Sequence, residues 1–492
     1  MSLRPRGKGI SLACLLAFAV LCTACRHRAT KARLPLAKCH LTGHAAQVID
    51  AMCGTLRVPE DRATKAGRTI DLSIAVLRAT GRKAAPDALF LLAGGPGQSA
   101  QEVYPQLADA FVRINLTHDI VLVDQRGTGH SNALTCADEE LAAASVDQAE
   151  MAALATKCEG ELSKRANLRQ YTTAIAMDDL DDVRAALGYD TIDLYGASYG
   201  TRAALVYLRR HEAHVRAVVV DGVAPPDWTL AALFGRDGQR TLDRVFARCA
   251  ADPSCDRAFP DLGASLQKLL GAHDKPTSVT LSHPVTAAPI TVQVSRDSLA
   301  STLHALSYES ETAALLPLLV HTASVTGDLR PLAAQSLILS DAMKIDLGMH
   351  LAVVCNEDVP YFDIAKIAAD NKGSYLGDAP ALRYVDACKA WPRANVTPED
   401  RAPVSSDVPV LLLSGEIDPV TPPSNASLAA RTLRHSLEVT VPGEGHGALQ
   451  RSCTRRIVSD FVERASVTGL STDCLKDTRP TALFTSSAGP QP

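Results

Sequence analysis

The apolar run Ile192–Tyr195 passes without a break into Gly196-Ala197-Ser198-Tyr199-Gly200, and a helical pattern covering Ala203–Arg210 follows. This junction constrains the chain more than any other feature. A G-x-S-x-G pattern alone is weak, since chance places one in roughly one chain in six of this length. Its context carries the weight. A strand feeding the pattern and a helix leaving it describe a sharp turn in which small neighbours let the backbone bend and the serine hydroxyl project. The bland reading, an ordinary serine in a glycine turn, does not account for both flanks.

The same rhythm recurs on both sides. Thr69–Leu77 alternates as a strand does, Ala88–Leu92 is a short buried run ending in Gly94-Gly95-Pro96-Gly97, and Asp119–Val123 is another strand. Thr173 is placed to cap a helix running to Leu187, with Gly188 just past its end. Val215–Val220 is a further buried strand. Short apolar strands alternating with helices imply a largely parallel sheet covered on both faces. From about 226 to 403 the rhythm changes to helical patterns, with polar β-like sequence near Thr277–Val294, and strand signals resume at Val408–Leu413 and Leu437–Val441. One sheet interrupted by a large insertion is the economical reading. The expected division is a leader over 1–25, core over 26–225, a cap over 226–403, core again over 404–477, and a loose tail over 478–492.

The leader is read from its charge and hydropathy. Arg4, Arg6 and Lys8 precede an apolar stretch, Ile10–Leu21, too short to span a bilayer comfortably and suited to a cleaved export signal. Its end, Leu21-Cys22-Thr23-Ala24-Cys25, is similar to a lipobox, with Cys22 where leucine is usual. Lipidation of Cys25, which would anchor the chain to a membrane, and ordinary cleavage both remain open. Destinations consistent with export are the periplasm, the cell envelope and the medium. Of 13 cysteines, Cys14, Cys22 and Cys25 lie in this leader. The remaining ten fall into sequence-local pairs, namely 39 with 53, 136 with 158, 249 with 255, 355 with 388, and 453 with 474. An even count in an exported chain suggests disulfides. Outside the leader, where Cys22 and Cys25 are so spaced, no CxxC pair occurs, so a zinc site is not expected. A net charge of −4 with no basic stripe argues against nucleic acid as a partner.

A serine hydroxyl needs a base, and of 14 histidines His446 stands apart within Gly443-Glu444-Gly445-His446-Gly447, directly after the last strand. Asp418, in Ser414-Gly415-Glu416-Ile417-Asp418-Pro419, is the acid expected to orient that imidazole, with Glu416 the competitor. The order Ser198, Asp418, His446 fits a strand–turn–helix nucleophile site. Backbone N–H groups of Tyr199 and Gly95 are the expected donors to a tetrahedral oxyanion. No Gly-Lys-Ser/Thr follows the Gly94–Gly97 turn, so it does not read as a phosphate loop, and no other cofactor motif is present.

Taken together, Gly94–Gly97, Asp124-Gln125-Arg126-Gly127-Thr128-Gly129-His130-Ser131, Gly196–Gly200 and the Asp418 and His446 segments resemble prolyl iminopeptidases. They resemble still more the secreted tripeptidyl-aminopeptidase-type hydrolases. The likeness spans roughly residues 50–225 and 404–475. It implies an α/β-hydrolase fold with a mainly helical cap inserted after the sixth core strand, and a serine hydrolase that cleaves near a free peptide N-terminus. Ala93 stands where prolyl iminopeptidases usually carry histidine, which points away from strict proline release. Holding an α-ammonium requires a carboxylate from the cap, and Glu357, then Asp358, are the candidates beside Cys355. Solvated loop acids are the alternative for both. Arg126 reads as a structural ion-pair former. Two other functions stand beside the aminopeptidase: a carboxylesterase with the same triad, and a non-catalytic envelope binding protein on a hydrolase scaffold.

Overall fold

The computed structural model describes residues 1–2, 33–43, 47–136, 148–342 and 344–490. The leader expectation, Cys25 included, falls outside the described residues. From Leu34 onward the chain forms one unit. Among the described residues, nine strands make its sheet: β1 (Ala37–Thr42), β2 (Val48–Pro59), β3 (Thr69–Leu77), β4 (Ala88–Leu92), β5 (Asp119–Val123), β6 (Ile192–Ala197), β7 (Val215–Asp221), β10 (Val410–Gly415) and β11 (Ser436–Val441). Their spatial order is β1-β2-β3-β5-β4-β6-β7-β10-β11, and a separate hairpin pairs β8 (Thr277–Ser282) with β9 (Pro289–Val294). The strands β5, β4, β6, β7, β10 and β11 run parallel to one another, while β1, β2 and β3 pair antiparallel at one edge, β3 meeting β5 antiparallel.

The parallel strands are apolar throughout because both faces are covered. Leu89 and Leu91 of β4 pack with Phe111 and Phe461 on one face, while Phe90 and Leu92 pack with Leu180 and Leu205 on the other. Helices α1 (Ala100–Asn115), α2 (Gln148–Leu162), α3 (Thr173–Leu187) and α4 (Tyr199–His211) belong to this first half of the chain. At α3 the cap is Thr172, whose hydroxyl accepts from Ile175 N, rather than Thr173. Gly188 closes the helix in the left-handed conformation.

The insertion follows β7, which is the sixth sheet strand once the added edge strand β1 is set aside. It is mostly helical and has its own apolar cluster, including Leu242, Leu303, Leu316 and Tyr375. Residues 478–490 do not form the loose tail expected of them. Leu483 is buried in this cluster and Phe484 N donates to Ala314 O at 3.0 Å, because apolar residues there meet an apolar surface of the insertion. All five sequence-local cysteine pairs are joined as disulfides. Among the described residues, no helix is long and apolar enough to cross a membrane. The acids of α3 take partners in the core: Asp179 receives two bonds from the buried Arg126 guanidinium (2.6 and 2.9 Å), which also donates to Glu60 O and Gln170 O. Arg126 thus ties the turn after β5 to α3 and β2.

Sheet order reverses at β4, with β5 on one side and β6 on the other. A parallel α/β sheet leaves its crevice at such a point, beyond the carboxyl ends of the strands. The loops after β4, β6, β7, β10 and β11 all leave from those ends.

Candidate active site

Ser198 stands alone between β6 and α4, with φ 54° and ψ −122°. A left-handed φ is strained for a residue with a Cβ, so the surrounding structure must impose it. It does so on both sides: Ser198 N donates to Asp221 O at 2.9 Å, and Thr201 N and Oγ1 both donate to Ser198 O, at 2.9 and 2.6 Å. Gly200 is required because a Cβ there would sit 2.1 Å from Leu92 O. Tyr199 is the first residue of α4, and no side chain caps this helix end. Its amide therefore belongs to the group of N-terminal N–H donors that lack intrahelical acceptors.

His446 and Asp418 meet across two loops. His446 Nδ1 lies 2.9 Å from Asp418 Oδ2 and 3.0 Å from Thr421 Oγ1. Asp418 is fully buried and also accepts from Val420 N, Thr421 N and Thr421 Oγ1, each at 2.8 Å. Burial alone would push its carboxyl up. The His446 charge and these hydrogen bonds outweigh that and hold it below the usual range. Burial pulls the His446 imidazole down, but the neighbouring Asp418 carboxylate prevails and raises it above 6.5. Glu416 points elsewhere, paired with Arg244 at 2.6 Å and accepting from Gly443 N at 2.9 Å. Thr421 carried no sequence signal beyond standing three residues after an aspartate.

Ser198 and His446 flank the same two residues. Asp221 O holds the serine amide, and a Cβ on Gly222 would come 3.1 Å from His446 Cε1. Gly94 sits against the serine, since its Cβ would lie 3.2 Å from Ser198 Cβ, and Gly95 follows with φ 103°. The turn carrying Gly95 thus adjoins Ser198 and the start of α4.

Glu357 and Asp358 are not free cap carboxylates. Glu357 accepts from Thr173 N and Thr173 Oγ1, at 2.6 and 2.7 Å, and Thr173 Oγ1 in turn meets Tyr199 Oη at 2.7 Å. Asp358, wholly buried, receives two bonds from Arg202 (2.9 and 3.1 Å) and one from Leu230 N. A buried carboxylate demands such partners, and the strong local acids of this segment obtained them from α3 and α4. Neither is solvated, which removes the loop-acid alternative, and through these bonds both tie the insertion to the core.

Another insertion carboxylate stands by the histidine. His446 N donates to Tyr308 O at 2.5 Å, and the Tyr308 ring meets the imidazole edge-on with centroids 5.3 Å apart. A Cβ on Gly445 would lie 2.0 Å from Tyr308 O, which explains the glycine before His446. The next residue, Glu309, is open to solvent, and its carboxylate has no hydrogen-bond or ion-pair partner among the described residues. Surrounding protein nevertheless pushes its carboxyl up to about 7, against the opposing pull of His446. Sequence alone offered no reason to choose it from the other acids of the insertion.

Among the described residues, two groups could close on a cation, Asp87 with His118 and Asp193, and Asp181 with His211 and His214. In both, arginine already neutralises the carboxylates: Arg216 on Asp87 and Asp193, and Arg184 on Asp181.

This sheet, with a serine at a strained strand–helix turn and an Asp–His pair on the last two loops, defines a serine hydrolase of the α/β-hydrolase class. Comparison with known proteins agrees. Residues 87–305 match the family described as alpha/beta hydrolase fold, and residues 374–474 match that of TAP-like protein. The chain is 27% identical over 458 residues to Serine protease Hip1 of Mycobacterium tuberculosis, covering 84% of this chain and 85% of that protein. It is 29% identical over 443 residues to Carboxylesterase B of the same organism, covering 82% of each. Tripeptidyl aminopeptidase of Streptomyces lividans is 31% identical over 190 residues, 35% of each chain. The chain has the α/β-hydrolase fold and is a serine hydrolase with protease and aminopeptidase relatives.

Proposed function

We propose that this chain is an exported serine aminopeptidase that releases residues or short peptides from free peptide N-termini. The observation that carries it is the Asp418–His446 pair, held beside the residues that flank Ser198, with the Glu309 carboxylate, unpartnered among the described residues, next to it. His446 takes the proton of Ser198 Oγ through Nε2, since Nδ1 faces Asp418, as the oxygen attacks the scissile carbonyl. The N–H groups of Tyr199 and Gly95 stabilise the oxyanion. His446 then passes the proton to the leaving amine, leaving an ester on Ser198. Water, deprotonated by His446, cleaves that ester and restores the serine.

Glu309 supplies what an aminopeptidase requires, a carboxylate facing solvent beside the reacting groups. A substrate ammonium meeting it would form a charge-assisted hydrogen bond and favour its ionised form. The relatives called serine protease and tripeptidyl aminopeptidase support a peptide substrate. The five disulfides support an oxidising destination, such as periplasm, envelope or medium. Fatty-acid labelling of the chain and of its Cys25→Ser variant separates lipid anchoring from simple cleavage of the leader.

A second reading, a carboxylesterase, is favoured by the similarity to Carboxylesterase B. The test compares aminoacyl and tripeptidyl p-nitroanilides, free and acetylated at the N-terminus, with a short-chain p-nitrophenyl ester. The aminopeptidase reading expects free-amine peptides to be cleaved well and acetylated ones poorly, with Glu309→Gln erasing that preference. An ester preferred by orders of magnitude, with no effect of blocking the amine, would overturn it. Ser198→Ala should abolish both activities in a folded protein; near-normal turnover would remove the serine mechanism itself.

A further inference from the structure

The Gly94–Gly97 turn is poor in means of holding itself. Three of its four residues are glycines, and the fourth, Pro96, has no N–H to donate. Within the turn region, Gln98 N reaches Gly94 O only at 3.4 Å. Other ties come from the insertion. Asp346 N donates to Gly97 O at 2.9 Å, and the same residue's carboxylate accepts from Gly129 N at 2.8 Å. His350, on the helix Leu347–Val353, places Nδ1 at 3.0 Å from Pro96 O and Nε2 at 2.9 Å from Tyr384 Oη. Two successive carbonyls of the turn are thus taken by one stretch of insertion backbone and one imidazole. The fit is close: a Cβ on Gly97 would lie 2.7 Å from Ile345 Cγ2 and 2.8 Å from Asp346 O.

The ring's protonation follows from its partners. A carbonyl only accepts, so Nδ1 carries the hydrogen and Nε2 accepts from the tyrosine hydroxyl. Burial disfavours the charged form, so the imidazole is neutral. Tyr384 in turn sits on the helix Ala379–Ala387, whose end is fixed by the Cys355–Cys388 disulfide. A chain of contacts therefore runs from a covalent staple through Tyr384 and His350 to the carbonyl next to Gly95. Ala93 precedes this turn, so the imidazole that meets it comes from a segment more than 250 residues away.

We propose that His350 is a positioning residue for the oxyanion turn: its Nδ1–H bond to Pro96 O, oriented by Tyr384, fixes the backbone from which Gly95 N–H points at the reacting oxygen. The inference rests on the Ser198 mechanism above and on Gly95 as a donor. A donor displaced by a fraction of an ångström loses stabilisation of the transition state while ground-state binding persists.

The test measures kcat and KM together with Ki for a peptide aldehyde, which forms a tetrahedral adduct with the serine, and for a product-like peptide. His350→Ala is expected to lower kcat 10- to 100-fold, weaken the aldehyde in parallel, and leave KM and product-like binding within about threefold. His350→Asn, whose amide nitrogen can stand near Nδ1, is expected to recover most of the loss. Tyr384→Phe, which keeps the imidazole but removes its orienting hydroxyl, is expected to shift kcat and aldehyde affinity the same way by a smaller factor, and it serves if His350→Ala does not fold. Equal weakening of both inhibitors, or unchanged kcat in folded His350→Ala, overturns the proposal; if only Tyr384→Phe can be read, unchanged kcat and aldehyde affinity there does so. Full activity in Ser198→Ala would instead remove the mechanism underneath it, so the two failures are distinguishable.

Discussion

Asp221 holds Ser198 by a 2.9 Å bond from the serine amide to its backbone carbonyl, at the carboxyl end of β7. The same residue reaches the histidine loop. Its carboxylate accepts from Ala448 N at 2.8 Å, two residues beyond His446, and meets Tyr195 Oη at 3.0 Å. One aspartate therefore sets the spacing between two loops that must meet to within hydrogen-bond reach.

From this geometry, Asp221→Ala should cost much more than Asp221→Asn. Alanine leaves Ala448 N and Tyr195 Oη buried without partners, whereas asparagine keeps an acceptor for the amide. Burial pushes the Asp221 carboxyl upward, so the neutral amide is also the milder electrostatic change. Thermal unfolding and kcat/KM on both variants check this; equal losses in the two would contradict it.

Glu416 and Asp418 give a sharper contrast. Asp418→Asn should reduce kcat by roughly 10⁴, because an amide fails to hold the imidazole in the working tautomer. Glu416→Gln should leave kcat within a few-fold, since that side chain serves Arg244 and Gly443 N. A large loss of kcat in folded Glu416→Gln would show that the acid had been assigned to the wrong residue.

Much of this site was legible because its residues sit where strands end. Strands β3, β4 and β5 match their apolar runs, and Ser198, Asp418 and His446 each follow one. The less legible parts share a physical cause. Edge strand β1 is largely exposed and its neighbour β2 only partly buried, so no continuous apolar run marks them. Glu357 and Asp358 look in sequence like any loop acids; their partners Thr173 and Arg202 lie over 150 residues away. Glu309 differs from other acids of the insertion only in that the chain carries Tyr308 against His446. Long-range packing decides which carboxylate is paired and which is left open, and local pattern contains no record of it.

Thr421 offers a modest, directional change. Its hydroxyl lies within hydrogen-bond reach of both Asp418 Oδ2 and His446 Nδ1. Thr421→Val keeps the shape and the backbone amide bond while removing the hydroxyl. With a buried carboxylate losing one of four donors, about tenfold in kcat/KM is expected, with KM little changed. Unaltered kcat/KM would mean that the hydroxyl only fills space.

The pH dependence separates the two carboxylate roles around His446. The imidazole must be neutral to act as a base, and it is held above 6.5, so the acid limb of kcat/KM should lie above that value for every substrate. Glu309 acts on top of this. With its carboxyl near 7, it gains its charge over the same range, and only the charged form attracts an ammonium. Rates for free-amine peptides should therefore rise with a limiting slope approaching two in log kcat/KM, against one for an ester that needs His446 alone. Glu309→Gln should return the peptide slope to one. It should also move the ester limb to slightly lower pH, because removing a nearby carboxylate makes the imidazolium less favourable. Identical slopes for peptide and ester in the unmodified enzyme would show that Glu309 does not meet the substrate's ammonium, while leaving the Ser198, His446 and Asp418 assignment to stand on its own variants.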